Sequence, residues 1–339
     1  MHRVAVLAVP PATAFDLSIP EVVFGAALVN GAPAYEVRVG TADPGLVEVY
    51  GSLQVHVPHG LDVVAGADTV IVTGTGARGA ADPRVLEALR LAAAAGSRIA
   101  SICTGAFVLA QAGLLDGRRA TTYWPFSAEL AARFPAVDVV GDVLFVDDGQ
   151  VLTSAGLAAG MDLCLHLVRG DYGAAVANAV ARQTVVSPAR HGGQAQAAPA
   201  PLSDTGAFSL AETRAWALQR LEEPLALGDL AAHAHTSVRT LSRRFQAETG
   251  LTPMQWLLEQ RVDRARELLE VTDLPVDHVA RHSGLGSADS LRRHLRDRIR
   301  STPTAYRRQA RRRAESIASV AGGQMIRRLP DTQRGVAIG

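Results

Sequence analysis

The chain has 339 residues, of which 48% are hydrophobic and 20% charged, and its formal net charge is +1, which favours a globular protein of two domains. Two cysteines, Cys103 and Cys164, exclude a disulfide framework, and the lack of an apolar run of about 18 residues excludes a membrane-spanning helix. The N-terminus, HRVAVLAVPP, predicts a first strand and no signal peptide. We therefore expect a cytoplasmic protein, with no cofactor and no bound metal.

Charge divides the chain into an acidic and a basic half. Residues 1–200 hold 12 Arg and 17 acidic residues, whereas residues 201–339 hold 22 Arg and 16 acidic residues. Within residues 292–313 there are ten Arg and one acid. This asymmetry favours contact between the second half and a polyanion, and the alternative is a solvated arginine face on a helix.

The first half alternates short apolar runs with helical patterns. Such alternation predicts an α/β domain with a doubly wound, flavodoxin-like parallel sheet. A hairpin is predicted around the DDG of residues 138–156. The predicted strands are residues 4–9, 35–39, 69–74 and 98–103, and the predicted helices are residues 19–29, 83–96 and 158–170.

A change of composition marks the boundary between the two domains. Residues 187–207 are rich in Pro, Gly, Ala and Gln and have no periodicity, which is typical of a linker. Helical patterns dominate after it, so the second domain is predicted to be all-α. We expect domains at 1–186 and 209–313, a linker at 187–208 and a disordered tail at 314–339.

The stretch SICTGAFVLAQAG, residues 101–113, places Cys103 between a buried strand and a helix. A nucleophile on a sharp strand-to-helix turn is exposed at the carboxyl edge of a sheet, where ligands of open α/β sheets bind. The start of the following helix also favours a thiolate. The pattern predicts an exposed elbow cysteine, and a buried cysteine at a strand end is the alternative.

This arrangement resembles the PfpI-like family, part of the class I glutamine amidotransferase-like superfamily. The positions that match are the elbow Cys103, the loop Gly74-Thr75-Gly76 and the acidic Asp16. In active relatives the acid touches the sulfur and a histidine is the base. The family's ATTHW reads ATTYW here, so that Tyr123 replaces the histidine.

Because a tyrosine is a poor base at neutral pH, the resemblance implies a vestigial, non-catalytic elbow. His56 and His59 are the other histidines that could lie near it in space. The candidate ligand pocket consists of Asp16, Gly74, Thr75, Cys103 and Tyr123. The alternatives are a cysteine-dependent hydrolase, amidase or hydratase, a redox-sensing thiol, and a purely structural dimerisation module.

Two segments of the second half, residues 229–245 and 278–295, resemble each other, and each has a short helix, a turn and a helix opened by serine. That is the outline of a helix-turn-helix unit. On the second helix of each unit, buried apolar residues four apart lie opposite a polar stripe. The stripe residues that we expect to contact DNA bases are Arg239, Ser242 and Arg243 in the first unit and Asp289, Arg292 and Arg293 in the second.

Residues 210–311 closely resemble the AraC/XylS family of bacterial transcription regulators, in which a long helix joins two helix-turn-helix units. STPTAYRR, residues 301–308, matches the end signature, whereas His235 stands where the first turn more often carries glycine. Together with the PfpI-like half, this is the arrangement of the GlxA-type regulators. The resemblance implies a sequence-specific regulator that binds double-stranded DNA, with a small-molecule effector and a homodimeric state.

Overall fold

The computed structural model describes residues 1–186, 190, 192–194, 196, 210–249 and 251–312. The predicted tail, 314–339, lies outside the described residues, as does the predicted linker, 187–208, apart from residues 190, 192–194 and 196. Within the described part of the chain, no helix is long and apolar enough to cross a membrane.

The first half is built on a six-stranded sheet whose neighbours are all parallel except one edge pair. The strands of this half are β1 His2–Leu7, β2 Leu28–Val29, β3 Ala32–Pro33, β4 Tyr35–Gly40, β5 Gly45–Glu48, β6 Gln54–Val57, β7 Thr69–Val72, β8 Arg98–Ile102, β9 Arg119–Ala120, β10 Asp138–Val139, β11 Phe145–Asp148 and β12 Val151–Ser154. Outside the main sheet, β2 pairs with β3, β5 with β6 and β9 with β10. The order in the sheet is β11-β12-β8-β7-β1-β4, and β11 runs antiparallel to β12. The predicted parallel sheet and its edge hairpin are confirmed.

Helices cover both faces of this sheet and form the second half of the chain. They are α1 Ala14–Gly25, α2 Pro83–Ala94, α3 Gly105–Gln111, α4 Ser127–Arg133, α5 Ala158–Tyr172, α6 Ala174–Gln183, α7 Ala211–Leu218, α8 Leu227–His233, α9 Val238–Thr249, α10 Pro253–Val271, α11 Val276–His282, α12 Ala288–Ile299 and α13, residues 303–312. Short 3₁₀ turns span Leu61–Val64 and Trp124–Phe126.

Alternation along β1 divides the core between the two faces. Val4 and Val6 belong to the cluster shared with α1, α5 and α6, whereas Ala5 and Leu7 belong to the cluster shared with α2, α3 and α4. Successive strand residues point to opposite faces, so a strand that is apolar throughout needs helices on both. This is the doubly wound arrangement that the sequence predicts.

Three local features differ from the sequence expectations. The helix predicted over 19–29 is α1, which begins at Ala14 and ends at Gly25. Its earlier start agrees with the acidic Asp16, because an acidic residue is favourable in the first turn of a helix. The β5–β6 hairpin was not predicted. Part of the predicted linker packs on the sheet edge, where Gly192 O and Gln194 O accept hydrogen bonds from the backbone N–H groups of residues 145 and 144.

The second half contains two small cores that share α10. Leu241 and Phe245 of α9 are fully buried beside Trp256 at the start of α10, and Leu291 and Leu295 of α12 are fully buried against its later turns. α10 also packs on α6 of the first half. α10, which joins the two units, therefore also contacts the α/β domain.

Candidate functional sites

The elbow begins where β8 ends. Cys103 has φ +58°, a left-handed conformation that non-glycine residues rarely adopt, and α3 starts two residues later at Gly105. Hydrogen bonds hold both sides of the turn: Cys103 N donates to Ser154 O at 2.9 Å, and Thr122 Oγ1 donates to Cys103 O at 2.9 Å. The predicted strand–turn–helix geometry is therefore present.

The loop after β7 is tied to the elbow by threonines. Thr75 N donates to Thr104 Oγ1 at 2.8 Å, and the same hydroxyl donates to Thr75 O at 2.7 Å. Gly74 lies so close to Asp16 Oδ2 that an added Cβ would overlap it. Only glycine fits there, and the structure thus brings Asp16, Gly74, Thr75 and Cys103 together.

Asp16 is fully buried in the first turn of α1. Its Oδ1 accepts a hydrogen bond from Leu157 N at 3.0 Å, and its carboxyl group interacts with the Cys103 thiol. Burial raises the pKa of Asp16 above its usual range. The acid of the predicted pocket is therefore a buried group that lies next to the sulfur.

The Cys103 thiol is poorly suited to nucleophilic attack. Burial, reinforced by the Asp16 carboxylate, raises the pKa of Cys103 to about 12. Only 8% of Cys103 is exposed. Gly156 packs directly against it, so closely that a Cβ added at Gly156 would overlap the cysteine. The expectation of an exposed elbow cysteine is wrong, and the neutral thiol is the form present at pH 7.

Tyr123 lies at the margin of the elbow. Its ring is half-buried, packs on the core cluster that contains Cys103, and lies 6.2 Å from the Trp124 ring and 5.9 Å from the Phe126 ring. Trp124 is 56% exposed, so it is not a core residue. His56 and His59 line a separate cavity beside α1, together with Ser18. Among the described residues, the groups that shift the pKa of Cys103 include no histidine.

The first helix-turn-helix unit is formed by α8 and α9. Ser237 caps α9, since its Oγ accepts a hydrogen bond from Thr240 N at 3.2 Å. His235 occupies the turn with φ +49° and is exposed, so the backbone adopts a glycine-like conformation without glycine. Arg239 and Arg243 are exposed on the side opposite the buried pair of α9, and Ser242 between them is half-buried.

The second unit repeats this geometry with α11 and α12. Ser287 caps α12 through a hydrogen bond from Ser290 N at 3.2 Å, and Gly284 occupies the turn with φ +76°. Asp289 and Arg292 are exposed and form an ion pair at 2.7 Å. Arg293 is exposed beside them. Each predicted stripe thus lies on the outer face of a capped helix, and the equivalence of His235 and Gly284 is confirmed.

Comparisons with known proteins match each half of the chain to a known type of domain. The DJ-1/PfpI family model matches residues 2–170, and a helix-turn-helix domain model matches residues 230–309. The HTH-type transcriptional regulator ArgR of Pseudomonas aeruginosa is 33% identical over 234 residues, which are 68% of this chain and 70% of ArgR. The HTH-type transcriptional regulator CdhR of the same species is 31% identical over 316 residues, 90% of each chain.

The chain belongs to this family of HTH-type transcriptional regulators. Its AraC-type helix-turn-helix domain is a DNA-binding domain, and the resemblance to the PfpI-like and AraC/XylS families is confirmed. The isonitrile hydratase of Pseudomonas putida is 38% identical over 108 residues, which are 32% of this regulator and 46% of the hydratase. The relatives of this regulator therefore include an enzyme.

Several residues that shape the regulator's elbow were not singled out from the sequence. Leu157, with φ +52°, supplies the N–H donor to Asp16, and Gly156 provides the space that Cys103 fills. Thr104 links the elbow to the loop after β7. The signal that could have indicated them is SAGL, residues 154–157, a short turn directly after a buried strand.

Proposed function

We propose that this regulator reads double-stranded DNA through α9 and α12, each lying in a major groove. The observation that carries the proposal is the repeated geometry: two serine-capped helices, each with a fully buried apolar pair and an exposed polar stripe. The base-contacting residues that we propose are Arg239, Ser242 and Arg243 on α9 and Asp289, Arg292 and Arg293 on α12.

Asp289 and Arg292 form an ion pair in the absence of DNA, so this pair must open before either side chain can contact a base. Their ion pair is exposed, with 92% of the Asp289 side chain accessible, so breaking it costs little. Arginine then pairs with guanine, and aspartate accepts a hydrogen bond from cytosine N4. We propose that the pair opens on DNA and orients both side chains toward neighbouring bases.

We propose that the α/β domain of residues 1–186 acts as a non-catalytic effector domain with its pocket at the elbow. The raised pKa of Cys103 and the replacement of the family's histidine by Tyr123 support this assignment. The second candidate function is a cysteine-dependent hydrolase, amidase or hydratase, favoured by the likeness to isonitrile hydratase. Asp16 and Cys103 lie together in either case, so the reactivity of the thiol separates the two functions.

We also propose that the regulator is a homodimer that acts in the cytoplasm, where its DNA lies. Exposed apolar side chains on α1 and on the β5–β6 hairpin support a self-association surface; they include Phe15 and Val22, at 50% and 49% exposure, and Leu46 at 70%. Residues 209–313 would then be paired on adjacent DNA segments, with residues 187–208 as linker and 314–339 as a tail. Pairing raises affinity through effective concentration.

A binding experiment tests the regulatory function. The purified full chain is titrated with DNA from the region upstream of its own gene and with an unrelated duplex of equal length, across a salt series. We expect both affinities to fall with salt, because arginines displace counterions, and the preference for the upstream DNA to persist. Equal affinity for both duplexes would require a wider operator search, and no binding at low salt would contradict the proposal.

A further inference from the structure

Part of the predicted linker is attached to the α/β domain. Arg190 donates hydrogen bonds to both carboxylate oxygens of Asp162, a buried residue of α5, at 3.1 and 2.5 Å. Two carbonyl groups further along accept hydrogen bonds from the sheet edge around the start of β11. Gln196 follows, and its backbone N–H donates to Asp142 Oδ1 at 3.0 Å. We call residues 190, 192–194 and 196 the strap.

The side chain of Gln196 holds the backbone on both sides of Tyr123. Its Nε2 donates to Thr122 O at 3.0 Å, and its Oε1 accepts a hydrogen bond from Trp124 N at 2.8 Å. The same Nε2 also donates to Val143 O at 3.0 Å. One amide group therefore binds the carbonyl before Tyr123 and the N–H after it, which only a side chain with both a donor and an acceptor can do. Gln196 thus fixes the backbone at the margin of the elbow.

Thr122 connects this contact to the cysteine of the elbow. Its hydroxyl donates to Cys103 O at 2.9 Å, while its carbonyl accepts the hydrogen bond from Gln196. Thr122 is fully buried, as is Thr121, whose N–H donates to Thr153 Oγ1 of β12 at 2.8 Å. A continuous set of hydrogen bonds therefore runs from the strap through one residue to the turn that carries Cys103.

We propose that Gln196 is a positioning residue of the elbow pocket, which holds Tyr123 and the Cys103 turn in place while the strap is attached. The proposal rests on the assignment of this pocket as an effector site. A ligand that displaces Tyr123 weakens the hold on Gln196, and release of the strap loosens the pocket by the same free energy, because such coupling is reciprocal. The start of the connection to the DNA-binding half is thereby coupled to the occupancy of the pocket.

Trypsin reports release of the strap in the full chain, without effector or DNA. The sequence has no lysine, and Arg190 is the one arginine between Arg182 and Arg214, so cleavage in that span occurs after this residue. Trypsin must take the guanidinium group away from Asp162. Gln196→Met keeps a similar length and removes the amide. We expect cleavage after Arg190 to become about tenfold faster or more, because cleavage of a transiently opened segment follows the population of the open form.

Alkylation of Cys103 by iodoacetamide shows whether Gln196 positions the elbow. We expect alkylation to be about threefold faster or more in Gln196→Met, because the turn opens more often. Asp162→Asn is the matched control: it weakens the hold on Arg190 and leaves Gln196 in place, so cleavage should accelerate while alkylation of Cys103 keeps the wild-type rate. Gln196→Glu is a second variant, since its ionised carboxylate accepts hydrogen bonds but donates none, and both rates should rise in it as well.

Three results would overturn the proposal. An unchanged alkylation rate of Cys103 in the folded Gln196 variants would make this residue an anchor of the strap alone. An equal rise in Asp162→Asn would assign the effect to detachment and not to Gln196. Cleavage after Arg190 in the wild type as fast as in a free peptide of residues 183–199 would show that the strap is not held. The proposed function is tested by DNA binding and by the wild-type reactivity of Cys103, whereas these results compare variants, so the two failures are distinguishable.

Discussion

Cys103 should react with iodoacetamide far more slowly in the folded regulator than in the unfolded chain. Burial and the Asp16 carboxylate raise its pKa to about 12, against an ordinary value of 9.0. The thiolate is the reactive form, so a pKa about three pH units higher leaves about a thousandfold less of it near neutral pH. An exposure of 8% lowers the rate further, because the reagent must reach the sulfur.

The assay follows alkylation of the Cys103 peptide by mass spectrometry between pH 6 and pH 10, and the same chain in urea is the reference. We expect a ratio of folded to unfolded rates of about 10⁻³ or less near neutral pH. The rate should still rise with pH at the upper end of the range. A midpoint below pH 9, or a ratio near one, would refute the reasoning and favour the hydrolase or hydratase function.

Asp16→Asn separates the two causes of the raised pKa. The amide oxygen can still accept the hydrogen bond from Leu157 N, whereas the negative charge beside the sulfur is lost. Because burial is the larger cause, we expect the Cys103 pKa to fall only part of the way toward its ordinary value. An unchanged alkylation profile in the folded variant would remove Asp16 from the explanation.

Three further predictions concern the DNA-binding half. Arg293→Ala should weaken specific DNA binding by about 1–3 kcal/mol if it contacts a base, and all sequences alike if it contacts only phosphate; competition binding distinguishes these results, and unchanged affinity contradicts both. Gly284→Ala should lower the melting temperature, because the alanine adopts φ +76° and its Cβ overlaps Leu221 O, whereas His235→Gly at the exposed equivalent turn should not; equal melting temperatures refute this. Burial raises the pKa of Glu259 to about 7, so the folded state binds a proton that the unfolded state releases above about pH 4.5. Lowering the pH from 7.5 to 5.5 should therefore stabilise the wild type relative to Glu259→Gln, and parallel melting curves against pH would contradict it.

The elbow illustrates what sequence could and could not predict. A buried strand, a cysteine and then Thr-Gly predict the strand–turn–helix geometry, because the pattern is local. The burial of Cys103 depends on Gly156 and Leu157, which follow a different strand and meet the elbow only in the folded sheet. The exposure of Cys103 was therefore predicted wrongly, although the backbone conformation of the turn was predicted correctly.

The second half was more predictable because its signals repeat. Leu241 and Phe245, and again Leu291 and Leu295, lie four residues apart, and all four are fully buried. By contrast, Asp263 reads in sequence as one charged residue of an amphipathic helix. Its partner Arg169 is 94 residues away, so the ion pair does not follow from spacing.

The position of α10 determines how an effector can influence DNA recognition. Trp256 and Leu257 at its start pack in the core that holds α9, and Leu268 and Leu269 near its end pack in the core that holds α12. Asp263, on the turns between them, contacts the effector domain through Arg169. We therefore expect a ligand that favours one arrangement of α5 against α10 to influence both α9 and α12 through this one helix. The coupling free energy between ligand binding and DNA binding is limited by the difference in the ligand's binding free energy for the two arrangements. A ligand that binds both arrangements equally therefore leaves DNA binding unchanged.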